Sequence, residues 1–233
     1  MKMSIVVPCF NEEKNIPLIL EKFAQCIPPN DLEVVLVNNG STDGSKVIMD
    51  QSLPLYPFAR VVNVQINKGY GYGILQGLKT CDSDYLGWTH ADMQTDPKDV
   101  IRALEIVKCH EDKKVFIKGF RIGRSWWDNL FTAGMSVFES LYLRKFLNEI
   151  NAQPTVFPKS FFETWKDPPS DFSLDLYALY LARIRGLKII RFSVKFPKRI
   201  FGKSSWNTGI SAKCKFIKRT IIFSRNLKKR GIK

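Results

Sequence analysis

The chain has 233 residues, 45% of them hydrophobic, enough for one large domain with a full core. Its net charge of +14 belongs to one end: from Leu176 to Lys233 there are 17 Lys and Arg and no acid, while the preceding 175 residues sum to about −3. Five cysteines without a CxxC pair or a regular spacing argue against a zinc knuckle and a disulfide framework.

The stretch after Met1 is too short for a signal-peptide core, and no apolar run approaches the roughly 20 residues of a membrane-spanning helix. A reducing, cytoplasmic setting is expected. The basic C-terminal quarter suits a polyanionic surface, either phospholipid head groups or nucleic acid.

The first half alternates short β-branched runs with longer amphipathic stretches, the pattern of a mostly parallel sheet flanked by helices. Strands are predicted at Met3–Pro8, Glu33–Asn38, Arg60–Gln65, Tyr85–Thr89 and Lys114–Gly119. Helices are predicted at Glu12–Gln25, Gly44–Gln51, Gly71–Thr80 and Pro97–Cys109, the last with Asp96 as its cap and Pro97 in its first turn. Ligands of open α/β sheets sit at the carboxyl ends of strands, so the loops after Pro8, Val37, Gln65 and Thr89 become the expected site walls. Further on, Trp127–Leu147 has helical spacing, and a Pro-containing loop follows (Pro154, Pro158, Pro168, Pro169). A helix over Asp171–Arg185 and a strand over Lys188–Phe196 come next. From Gly209 to Arg230 the residues Ile210, Cys214, Ile217 and Ile221 form an apolar stripe, widened by Phe216, Phe223 and Leu227, opposite Lys215, Lys218, Arg219, Arg225 and Lys229, a basic amphipathic helix that favours lipid over nucleic acid.

The loop from Thr89 to Pro97 is the expected chemical centre. Asp92, Gln94 and Asp96 stand at alternate positions, so Asp92 and Gln94 can point the same way in an extended loop. Hard oxygen donors of this kind suit Mg²⁺ or Mn²⁺, often completed by substrate phosphates. The segment Asn38-Asn39-Gly40-Ser41-Thr42-Asp43 offers groups for a nucleobase edge, and serves equally as ordinary turn and cap chemistry. Asn67-Lys68-Gly69 allows close backbone approach beside a positive charge, but is no dinucleotide fingerprint.

Four ordered motifs, Ser4-Ile5-Val6-Val7-Pro8-Cys9-Phe10-Asn11-Glu12-Glu13, Val37-Asn38-Asn39-Gly40-Ser41-Thr42-Asp43, Asn67-Lys68-Gly69 and Ala91-Asp92-Met93-Gln94, resemble those of glycosyltransferase family 2. The likeness is strongest to the branch of dolichol-phosphate mannose synthase and polyprenyl-phosphate sugar transferases. It covers residues 3 to 207, with 208 to 233 as a basic amphipathic membrane-surface tail. The resemblance implies a GT-A type, Rossmann-like nucleotide-binding domain and an inverting transfer. It implies that Pro8, Phe10, Glu12, Asn39 and Lys68 line the nucleotide-sugar, with Asn39 where relatives hold a base-reading Asp. Asp92 and Gln94 fall on metal-ligand positions of an Asp-x-Asp-x-Gln pattern whose first Asp is His90 here.

The same resemblance implies phosphate contacts from Arg121, Arg124, Ser136 and Arg199, the last within Arg199-x-x-Gly202-x-Ser204. Relatives often carry a further Arg where this chain has Thr132. Gln153 falls near the acceptor, and Asp171 and Asp175, at i and i+4, are candidates for a base or for ion pairs with Arg. The expected donor is a nucleotide-sugar. The expected acceptor is a lipid-linked phosphate such as polyprenyl phosphate, with a surface polysaccharide or lipopolysaccharide intermediate as the alternative. The enzyme is expected on the cytoplasmic face of the cell membrane, and no nucleic-acid partner is expected.

Overall fold

The computed structural model of the chain describes residues 1–28, 30–110, 114–197, 199–201 and 210–230. Its strands are β1 (Met3–Cys9), β2 (Leu32–Asn39), β3 (Ala59–Val64), β4 (Tyr85–Trp88), β5 (Val115–Ile122), β6 (Thr155–Pro158) and β7 (Lys188–Lys195). Its helices are α1 (Ile16–Ala24), α2 (Ser45–Ser52), α3 (Tyr70–Leu78), α4 (Pro97–Lys108), α5 (Trp126–Leu143), α6 (Lys159–Phe162), α7 (Leu174–Ile184) and α8 (Ile210–Lys229). Gly202 and Ser204 of the basic segment, and the 207/208 boundary, lie outside the described residues.

The strands form one sheet in the order β3-β2-β1-β4-β6-β5-β7. β1, β2 and β4 are continuous apolar runs because helices cover both faces of the sheet, leaving no solvent side to select alternation. One face carries Ile16, Phe23, Val100 and Val107 from α1 and α4 against Ile5, Val7 and Val34. The other carries Ile74 and Leu78 of α3 and Tyr177 and Leu181 of α7 against Val6, Val37, Trp88 and Phe157.

The sequence reading treats Pro154–Pro169 as loop, whereas Thr155–Pro158 is a strand wedged between β4 and β5 and antiparallel to both. Four residues flanked by prolines give no periodicity to read. Its place depends on glycines elsewhere: a Cβ on Gly87 would overlap the Thr155 carbonyl oxygen, and one on Gly119 that of Gln153.

The C-terminal helix lies along α5, and its packed side coincides only in part with the expected apolar face. Leu227 of that face is buried and Phe223 half-buried, but Thr220 and Ser224 are buried with them while Cys214 and Ile221 are exposed. The reason is a polar contact that spacing cannot foresee: Ser224 Oγ donates to Glu139 Oε2 of α5 at 2.6 Å, and small residues let the helices approach. Leu227 joins the core cluster of the α7 face. Among the described residues no helix is long and apolar enough to cross a membrane.

Burial raises the Glu139 carboxyl from its ordinary 4.5 to about 7, against the opposing hydrogen bond from Ser224. Folding therefore favours the protonated form, a contribution complete below pH 4.5 and lost as pH rises through 7. Glu139→Gln keeps the shape and an acceptor for Ser224. It should raise the calorimetric melting temperature at pH 8 and leave it nearly unchanged at pH 4.5.

Candidate active site

The carboxyl ends of β1 to β4 bring the four loops together. After β1, Asn11 takes a left-handed φ of 58°, and its side-chain oxygen accepts from Thr42 N at 2.8 Å, tying this loop to the one after β2. Glu12 N donates to Ser45 Oγ at 2.9 Å, which aims the Glu12 carboxylate inward. Burial raises its pKa, opposed by the hydrogen bond from Asn15, with Asp92 raising it further. Pro8 closes β1 half-buried and Phe10 stands exposed beside it.

Asn39, at the end of β2, is buried. Its Nδ2 donates to the Gly69 carbonyl at 3.0 Å, so the β2 and β3 loops are pinned through it. Gly73 leaves the room for this side chain, since a Cβ there would meet the Asn39 amide. Asn39 Oδ1 is buried with no hydrogen-bond partner. Lys68 is exposed, its ammonium 5.3 Å from the Tyr72 ring centroid.

After β4 the backbone turns left-handed at Met93 (φ 59°), whose side chain plugs the core of the α4 face. That plug holds Asp92 and Gln94 on one side, and both grip the same cation. Arg199 Nη2 lies 2.8 Å from Asp92 Oδ2, and Arg199 Nε donates to Gln94 Oε1 at 3.2 Å. Asp96 caps α4 by accepting from Lys98 N at 3.0 Å.

His90 sits between Tyr70 (ring centroids 6.2 Å apart) and Phe196 (6.4 Å). Burial lowers its pKa, against the pull of Asp92 and Asp175, so the imidazole is held towards its neutral form. Beneath it runs a buried polar network. Lys118 Nζ on β5 lies 3.3 Å from Asp175 Oδ1 and donates to Thr155 Oγ1 at 2.8 Å. Gln153 Nε2 donates to Asp175 Oδ1 at 2.7 Å and to Tyr70 OH at 3.3 Å. Burial pushes Lys118 down to about 8, although Asp175 pulls the other way.

Asp171 is not on the helix with Asp175, as the i, i+4 reading expects. It lies in the turn before α7, where its Oδ1 accepts from Ser173 N at 2.8 Å and its Oδ2 pairs with Arg219 of α8 at 3.3 Å. Three α5-side residues meet at a second station. Arg121 is paired with Glu149 at 2.7 Å, and Arg124 donates to Thr132 Oγ1 at 2.8 Å, so the Thr that stands in for an Arg steadies a neighbouring one. With Ser136 they line a narrow cavity of about 60 Å³ that also borders Phe172 and Thr220. Arg121 and Ser136 also line an adjoining groove of about 740 Å³ with Phe120, Ile122, Val137 and Leu141.

The Phe196 ring links the second station to His90, with the guanidinium carbons of Arg121 and Arg124 at 5.5 and 5.7 Å from its centroid and the His90 ring at 6.4 Å. Lys118, Tyr70 and Phe196 were not singled out from the sequence. Lys118 did carry a signal, a cation inside the apolar run Val115-Phe116-Ile117, which calls for a buried partner.

This sheet order, with its ligand-facing loops after β1, β2 and β4, is that of a GT-A type nucleotide-binding fold. Residues 4–158 match the model of the family described as Glycosyl transferase family 2, and the chain belongs to that family. Among curated relatives it is 32% identical over 108 residues to undecaprenyl-phosphate 4-deoxy-4-formamido-L-arabinose transferase of Photorhabdus laumondii, covering 45% of this chain and 33% of the relative. The protein of the same name in Pseudomonas savastanoi is 30% identical over 130 residues, covering 53% and 38%. The matched region thus spans little more than a third of these relatives. Among solved structures, glucosyl-3-phosphoglycerate synthase from Mycobacterium tuberculosis with Mn²⁺, uridine diphosphate and glucosyl-3-phosphoglycerate superposes with a TM-score of 0.71, at 17% identity, over 91% of this chain and 76% of that one. S. aureus TarS 1-349 gives 0.60 at 18% identity over 84% and 60%.

Removing one partner of a buried ion pair strands the other charge, at a cost of about 3–5 kcal/mol. Lys118→Met should lose stability of that order in urea denaturation, and the double variant Lys118→Met/Asp175→Leu should recover much of it.

Proposed function

We propose that the chain transfers a sugar, with inversion, from a nucleoside-diphosphate donor to a lipid-linked phosphate. The observation that carries this reading is the presence of two cationic stations, one on the loop after β4 and one beside an apolar groove. Arg199 lies against Asp92 and Gln94 at the first, and Arg121 and Arg124 lie against the Phe196 ring at the second. A donor diphosphate suits the first station and an acceptor phosphate the second, with its lipid chain in the groove. Arginine suits both because its planar fork holds phosphate oxygens in two directions.

In the step itself, an acceptor phosphate oxygen forms a bond to the anomeric carbon while the bond from that carbon to the diphosphate breaks, and the nucleoside diphosphate leaves with the electron pair. An acceptor phosphate arrives ionised, so positioning matters more than a general base. Asp175, held by Lys118 and Gln153, acts as a positioning residue beneath Tyr70 and His90, and Gln153 belongs to that support and not to the acceptor surface. Asn39 Oδ1, a buried acceptor without a partner, suits a donor group on the base, with Pro8, Phe10, Glu12 and Lys68 around the nucleotide.

Asp92 and Gln94 already converge on a cation, the Arg199 guanidinium, which stands in for a metal and supports a fit. A single carboxylate completed by substrate phosphates suits Mg²⁺ or Mn²⁺, with neutral His90 as a third donor. Such an ion would neutralise charge on the leaving diphosphate. The name of the Photorhabdus relative and the Mn²⁺ in the M. tuberculosis synthase structure support this assignment.

The enzyme is proposed to work as a peripheral protein at the cytoplasmic face of the cell membrane, with the basic segment 208–233 as a surface element. Support comes from the exposed apolar residues of α5, where Trp126, Trp127 and Leu141 are 66%, 72% and 75% exposed, and from the basic composition of α8. Exposed apolar patches of this kind mark interaction surfaces, and the cations of α8 favour anionic lipid.

Two measurements test the reading. Asp92→Asn should lower transfer from a nucleotide-sugar to polyprenyl phosphate by about 10²–10³; full retained activity would remove Asp92 from its role. The protein should co-sediment with vesicles containing phosphatidylglycerol more than with phosphatidylcholine alone, and Trp126→Ala/Trp127→Ala should weaken that binding severalfold. Equal binding to both vesicle types would argue against the membrane assignment.

A further inference from the structure

The oxygen atoms suited to a metal are already engaged. Asp92 Oδ2 faces Arg199 Nη2 at 2.8 Å, Asp92 Oδ1 accepts from Gln94 N at 3.1 Å, and Gln94 Oε1 accepts from Arg199 Nε at 3.2 Å. The other end of the Gln94 amide is also tied to this segment, with Nε2 donating to the Pro197 carbonyl at 2.9 Å. Two side chains after β4 are thus clasped by the short stretch that follows β7. The Asp92 side chain is only 6% exposed and that of Arg199 24%, so water screens this contact poorly.

A divalent ion binds oxygen at about 2.0–2.1 Å. At Asp92 Oδ2 and Gln94 Oε1 it would overlap the guanidinium in space and repel it in charge. The ion and Arg199 cannot hold these two oxygens together. An incoming diphosphate changes the balance, because it offers the guanidinium another pair of anionic oxygens close by while bringing ligands for the ion.

Resting on the donor and metal reading above, we propose that Arg199 is an internal competitor for the metal site: it occupies Asp92 and Gln94 until a nucleoside diphosphate draws it away. The metal therefore enters with the nucleotide and not ahead of it. Arg199 is then a positioning residue with two anionic partners used in turn, first the protein carboxylate and then the phosphates. The coupling between metal and nucleotide is reciprocal, as any linkage between two ligands must be.

The test uses the full chain, with Mn²⁺ and the nucleoside diphosphates UDP and GDP as probes. Free Mn²⁺ is followed by electron paramagnetic resonance, with and without each nucleotide. Wild-type protein should bind Mn²⁺ weakly alone and at least about tenfold more tightly with the preferred nucleotide, within the usual range of such couplings. Arg199→Gln should bind Mn²⁺ alone about tenfold more tightly than wild type, and the effect of nucleotide should shrink towards none. Arg199→Lys, which keeps the charge but cannot span both oxygens, should fall between them. Matching melting temperatures for the three proteins establish that all are folded, and Asp92→Ala reports whether the bound ion is at this site.

If Mn²⁺ binds in an Asp92-dependent way but Arg199→Gln leaves its nucleotide-free affinity and its coupling unchanged, competition by Arg199 is overturned while the metal assignment stands. If Mn²⁺ binds neither protein under any condition, or binds regardless of Asp92, the metal assignment fails and the competition fails with it.

Discussion

Lys118 brings a charge to the middle of a strand covered on both faces, and the structure beneath the site is arranged around keeping that charge in company. Asp175 of α7 answers it, Thr155 of β6 takes a second proton, and Gln153 bonds to the same carboxylate oxygen before reaching Tyr70. One ammonium group therefore fixes β5, the short β6, the start of α7 and the first residue of α3 relative to one another. Buried charge pairs of this kind add little net stability, because desolvation offsets most of the attraction, but they strongly disfavour other arrangements of their partners. Here the arrangement they enforce is the floor on which Tyr70 and His90 stand.

Above that floor, the two cationic stations differ in their partners. Burial, and then the nearby Arg121, lowers the pKa of Arg124, against the pull of Glu149 and Asp128. Glu149 is itself paired with Arg121. At the other station the cation is already matched, Arg199 against Asp92. Under the proposed function, the two positions would take two phosphate groups of different kinds. Burial holds the His90 imidazole towards its neutral form, against the pull of Asp92 and Asp175.

The parallel half of the fold was legible because parallel strands under helices write themselves as uninterrupted β-branched runs, and β1 to β5 and β7 fall within a few residues of their expected places. The capping role of Asp96 was legible for an equally local reason, a side chain accepting from an amide two residues ahead. What failed depended on distant partners. β6 has four residues, ends on Pro158 and follows Pro154, and it becomes a strand only because Gly87 and Gly119 leave room for the carbonyls of Thr155 and Gln153. On α8 the expected Leu227 does pack, but the buried Thr220 and Ser224 beside it follow from Glu139 and not from apolar spacing. Asp171 lost its helical register to Asp175 because its own side chain caps the turn before α7.

By itself the sequence determined the alternation of strands and helices, the family motifs, the position of the loops that carry Asn39, Asp92 and Gln94, and the confinement of positive charge to the last quarter. These are properties of local periodicity and of residue type at short spacing. Only the tertiary structure decided that Arg199, more than a hundred residues from Asp92, lies on it, that Lys118 and Asp175 share a buried network, and that Phe196 meets Arg121, Arg124 and His90. Contacts across such separations follow from strand order, which no local pattern encodes, and they arise here because β4, β6, β5 and β7 are neighbours in the sheet.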